Sequence, residues 1–95
     1  MKLVYIEWID SYGCSSDWNN LENCKPELLL CRSVGWLLHA DKTCKVIVPH
    51  ITQDQHDNIA QQGCGEMTIP TKAVRKIVFL TIPSNERKKY EEDRV

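Results

Sequence analysis

Ninety-five residues hold one domain, since domains run roughly 100–200 residues, and so short a chain buries only about 60–65% of its unfolded surface. Apolar residues make up 42% and charged residues 26%, a globular balance that excludes wholesale disorder. Twelve Lys and Arg against thirteen Asp and Glu leave a net charge of −1, which argues against a strong non-specific nucleic-acid binder, because that affinity comes from excess cations facing phosphates.

In a half-buried strand every second residue is apolar. Val4, Ile6 and Trp8 share one face of a first strand that ends at Ser11-Tyr12-Gly13. Ser11–Glu27 follows as a long polar loop. From Leu28 to His39 the residues Leu28, Leu30, Val34, Trp36 and Leu38 share a parity, which makes them the expected core face. Arg32 breaks that face, so a bulge or the strand start is expected near Ser33. Asp41-Lys42 reads as a hairpin turn, with Cys44, Val46 and Val48 on one side of the next strand. Thr52–Glu66 is Gln- and Asp-rich, ends in Gly63-Cys64-Gly65, and is expected as a loop with room for a short helical turn over Asp54–Gln62. Met67 and Ile69 begin a fourth strand that Pro70 must end or bend. Thr71-Lys72-Ala73-Val74 suits one tight 3₁₀ turn, and Ile77 with Phe79 marks a fifth strand. Nothing sustains the 3.6-residue period of a core helix. The domain spans 1–84, followed by a charged tail over 85–95 that is helical or disordered.

Five short strands and a tight turn before the last predict an all-β, closed five-stranded small barrel of Sm/SH3-like order, with Gly35 at a bend where a side chain would clash. Trp8-Ile9-Asp10, Val34-Gly35-Trp36-Leu37 and the segment from Ile69-Pro70 through Ala73-Val74 to Ile77 resemble a group of small uncharacterised bacteriophage proteins with this pattern. These are packing motifs, and the long loops lie outside them. The resemblance implies a homo-oligomer and an accessory or counter-defence role in the host cytoplasm.

No run approaches the roughly 18 apolar residues of a membrane helix, and Glu7 and Asp10 interrupt any signal-like start. Five cysteines without a C-x-x-C pair suit a reducing cytoplasm better than a disulfide framework. No catalytic residue and no cofactor is expected. His39, His50 and His56 beside five thiols make a Cys–His couple possible by number alone, and Asp54 with Asp57 reads as a polar loop pair. His50, His56 and Cys64 are the weak candidates for a metal, because imidazole and thiolate suit zinc.

Binding has better material. Trp18 lies in a polar loop where it can stack on a base or anchor a partner, with folding back over the barrel as the alternative. Arg32, Lys72, Arg75 and Lys76 supply cations for a phosphate, the last three close together around the tight turn. The expected function is therefore a non-enzymatic protein that sequesters a nucleotide-type signal between protomers. The alternatives are an Sm-like RNA-binding module, an inhibitor of a host protein acting by direct contact, and a metal-dependent hydrolase.

Overall fold

β1 (Lys2–Ser11) sits next to both the longest strand, β2 (Leu28–Ala40), and the last, β7 (Val74–Leu80). The computed structural model describes residues 1–13, 17–53 and 60–83, so the 85–95 tail, His56, Asp54 and Asp57 lie outside the described residues. β3 (Cys44–Val48) follows the hairpin after β2, and β6 (Met67–Pro70) pairs with β3. The result is a five-stranded antiparallel sheet in the order β6-β3-β2-β1-β7. The described residues form a mainly β structure in which no helix is long and apolar enough to cross a membrane.

The core lies on one side of this sheet. Val4, Ile6, Ile47 and Ile69 are buried together, with Trp8, Leu37, Met67, Ala73, Val74 and Ile77 packed against them. Ile69 and Ile77 come from opposite edges of the sheet yet join one cluster, so the sheet curls around its interior. No ladder joins β6 to β7 among the described residues, and the expected closed barrel is open along that seam. The cause is local. Pro70 cannot donate to a ladder, and the 3₁₀ turn Thr71–Ala73 separates the two edge strands, as its sequence predicts. That turn is anchored elsewhere: Thr71 donates its N–H to the Thr43 carbonyl at 3.0 Å and its hydroxyl to the Asp41 carbonyl at 2.8 Å.

Three further expectations are corrected. β2 runs unbroken through Arg32 and Ser33 in register with β1, and its irregularity falls against β3, between Leu37 and His39. The face of β2 that meets the core is the opposite one. Val4, Ile6 and Trp8 pair with Gly35, Ser33 and Cys31, so Leu28, Leu30, Val34 and Trp36 point away from the core. Volume decides this. Bulky β1 side chains fill the interior, and small residues must face them, as close packing requires. A Cβ on Gly35 would stand 3.2 Å from the Val48 carbonyl oxygen and 3.3 Å from the Ile47 Cβ. Ser33 also accepts the indole N–H of Trp8 at 3.0 Å, which satisfies the polar edge of the largest inner side chain. On β3 the core residue is Ile47, between Val46 and Val48. Phe79 shares the inner register with Val4 but stands largely exposed at the sheet margin, with the Lys2 ammonium 5.3 Å from its ring.

Last, the expected loop over Thr52–Glu66 contains a second, two-stranded sheet, with β4 (His50–Gln53) against β5 (Ala60–Cys64). Glycine and glutamine carry no apolar alternation, so pairing here rests on the backbone. Thr52 assists by accepting the Gln62 N–H at 3.0 Å. Gly65, at φ 80°, turns the chain into β6.

Candidate functional site

The side of the sheet turned away from the core is built of cross-strand rows, since paired residues share a face. Ile9 pairs with Leu30, Glu7 with Arg32 and Lys76, Tyr5 with Val34 and Val78, and Leu3 with Trp36 and Leu80. One charged row therefore crosses the face between apolar ones, with Glu7 flanked by a cation on each neighbouring strand. Leu28, Leu30 and Val34 are 71%, 54% and 53% exposed, and Val78 and Leu80 are exposed as well. Isolated exposed leucines are ordinary; a row-by-row apolar face on one sheet is not. Tyr5 donates its hydroxyl to Glu7 Oε1 at 3.0 Å. Desolvation pushes the Tyr5 phenol above its ordinary pKa, the hydrogen bond and charge of Glu7 add to that, and Arg32 pulls the other way.

The cations singled out in the sequence divide into two groups. Arg32 and Lys76 stand on either side of Glu7 on the outer face. Lys72 lies in the 3₁₀ turn, and Arg75 occupies the bulge where β7 carries one more residue than β1. The Arg75 guanidinium donates to the Lys72 carbonyl at 3.0 Å. Trp18 is fully exposed in the connection between β1 and β2 and does not cap the sheet. Beside it in the chain, Tyr12, Asn20, Lys25 and Glu27 line a shallow polar cleft of about 470 Å³. A second cleft of about 350 Å³, between Met1, Leu38 and Val48 on one side and Ile51, Gly63 and Glu66 on the other, lies where the β4–β5 hairpin meets the main sheet.

Register places His50 opposite Cys64, both exposed, while their third proposed partner lies outside the described residues. Cys24, Cys31, Cys44 and Cys64 are free thiols. Among the described residues, donor atoms gather instead at a place that no expectation from the sequence singled out. His39, Asp41 and Cys44, at the β2–β3 hairpin, hold their donor atoms within 4.8 Å of one another. Its carboxylate is already engaged. Asp41 Oδ1 accepts the N–H groups of Thr43 at 2.7 Å and Cys44 at 2.8 Å, and Oδ2 lies 2.6 Å from His39 Nε2. The Cys44 N–H, then the His39 bond and the Thr43 N–H, hold the carboxyl down to about 2. The group shapes the turn. Its signal was an Asp opening a turn two residues after a His and three before a Cys, a spacing that a search for C-x-x-C overlooks.

No protein-family model matches this sequence, and neither a characterised protein nor a solved structure matches it.

Proposed function

We propose that this chain is a non-enzymatic binding protein, an opened small barrel of the Sm/SH3-like kind, that recognises a protein surface through the outer face of β1, β2 and β7. The observation that carries this reading is the exposure of Leu28, Leu30 and Val34 on one parity of β2, with Leu30 in register with Ile9 and Val34 in register with Tyr5, which pairs with exposed Val78 on its other side. An exposed apolar face suits a protein interface, and a row of opposite charges inside it gives specificity more than affinity. Support for the barrel kinship is the strand order β6-β3-β2-β1-β7 with the 3₁₀ turn between its two edge strands.

A nucleotide-type ligand needs an aromatic and several cations converging. Here Lys72 lies in the 3₁₀ turn with Arg75 bonded to it from the β7 bulge, Arg32 and Lys76 stand on the outer face beside a carboxylate, and Trp18 belongs to a separate connection. Protein contact is therefore the better-supported reading. The same dispersion weighs against RNA.

A photo-crosslinking amino acid in place of Val34, in the expressing cell, tests the proposal. The expected product is a protein–protein adduct that the same probe at exposed Lys42, on the hairpin turn, does not give. Absence of any adduct, with intact nucleotide released when the purified protein is heated, overturns the proposal in favour of sequestration.

A further inference from the structure

We infer that the occupant of the outer face is a second copy of this chain, stacked sheet on sheet about a two-fold axis that runs parallel to the strands between β1 and β2; this rests on the protein-contact reading above. The central strands are apolar on both faces, with Val4, Ile6 and Trp8 inward and Leu3, Ile9, Leu30, Val34 and Trp36 outward. A sheet of that kind is half of a sandwich, whose second layer stands about 10 Å away with strands aligned within roughly 30°. Among the described residues the chain offers only the β4–β5 hairpin, which covers the Val48 end: the position a Cβ of Gly63 would take is 2.9 Å from Val48 Cγ2.

The charged row selects the geometry. A two-fold axis bringing this face onto its own copy lies between the layers, either across the strands or along them. An axis across the strands and through the row sets Glu7 on Glu7, Arg32 on Arg32 and Lys76 on Lys76, like charges in a layer losing its water, which is costly. An axis along the strands between β1 and β2 sets each β1 residue against the copy of its own β2 neighbour. Glu7 then meets Arg32 of the second copy and Arg32 meets its Glu7, so four charges cancel. The flanking rows fall apolar on apolar, Tyr5 on Val34, Leu3 on Trp36 and Ile9 on Leu30, while Leu80 falls over the end of β3 and meets the copy's β4–β5 hairpin there rather than Val48 itself. Lys76 overhangs, because β3 pairs with β2 only from Trp36 to Ala40 and no strand of the copy reaches that row, so its ammonium stays in water. An axis between β1 and β7 would also set Glu7 on a cation, Lys76, but β7 is the sheet edge, so Leu30, Val34 and Trp36 of β2 would be left uncovered; the axis therefore lies between β1 and β2.

Sedimentation of the full chain at tens of micromolar tests the inference through charge reversal. The unaltered protein is expected to be a dimer. Glu7→Arg alone and Arg32→Glu alone each set like charges together and give monomers, with strand content verified by circular dichroism. Mixing the two single variants restores a dimer, because each new charge meets its opposite across the axis, and the doubly exchanged chain also dimerises. The mixture is decisive, since a defect confined within one chain is not repaired by adding another. A dimer that survives both single reversals, or a mixture that stays monomeric, overturns the inference. A monomeric unaltered chain whose position-34 probe captures a different protein overturns the second copy while the protein-contact reading stands. A monomer with no adduct removes both.

Discussion

At the scale of single residues, two polar groups are fixed by partners that can be removed one at a time. Ser33 is the acceptor for the half-buried Trp8 indole N–H, at 3.0 Å. Ser33→Ala leaves that donor unmatched at the edge of the core and is expected to cost about 1 kcal/mol. The check is a urea midpoint that falls while the slope of the transition stays constant. Asp41 carries the pH dependence of the β2–β3 hairpin. Its carboxyl is lowered from 3.8 to about 2, chiefly by the Cys44 N–H, then by His39 and Thr43. A group whose folded pKa is depressed stabilises the folded state above its unfolded value and loses that contribution as pH falls through the folded one. The carboxylate therefore supports the fold fully above pH 3.8 and ceases to do so near pH 2. Asp41→Asn is expected to melt below the unaltered protein at neutral pH, and the two melting curves should converge across that acid window. Equal melting temperatures at pH 7 would show that the turn does not depend on this charge.

At the scale of elements, the β4–β5 hairpin is held against the main sheet by a close backbone approach. Gly63→Ala drives a Cβ into Val48 Cγ2, 2.9 Å away, and the cheapest response is for the hairpin to lift. Hydrogen exchange is expected to quicken over β4 and β5 while β1 and β2 keep their protection; a global loss of protection would make the hairpin part of the main cooperative unit instead. Gly35 differs, because an added Cβ meets the Val48 carbonyl and the Ile47 Cβ within the sheet, and neither can swing aside. The positions of β1, β2, β3, β6 and β7 were legible in the sequence because alternation and β-branched residues mark them directly, and Asp41-Lys42 and Thr71–Ala73 announced their turns. The hairpin was not, because Gln62, Gly63 and Cys64 carry no apolar period: Gly63 and Cys64 pair through backbone, and Gln62 is held by the Thr52 hydroxyl. The inward face of β2 was misread for a related reason. Both of its parities contain leucines, and hydrophobicity does not tell a side chain that fills the core from one that awaits cover outside it. The small residues Ser33 and Gly35 settle the choice, once the bulk of Val4, Ile6 and Trp8 opposite them is counted.

At the scale of the whole molecule, the same ambiguity becomes an energetic argument. Ile6→Ala, at a fully buried position, is expected to cost about 3–4 kcal/mol, a large share of what a domain this small can hold. A fold so thinly cored gains from any association that occurs only in the native state, by an amount that grows with concentration. If the outer face is covered by a second copy, the melting temperature of the unaltered chain rises as the protein is concentrated. Val34→Thr keeps the β-branched shape on an outward strand position but removes apolar area from the contact. Its melting temperature should equal that of the unaltered chain at high dilution and then fail to follow it upward. Ile6→Val behaves in the opposite way, because it lowers the melting temperature at every dilution and leaves the slope against concentration intact. The pair separates what the inner face does for one chain from what the outer face does between chains, and a slope unaffected by Val34→Thr would remove the outer face from the association.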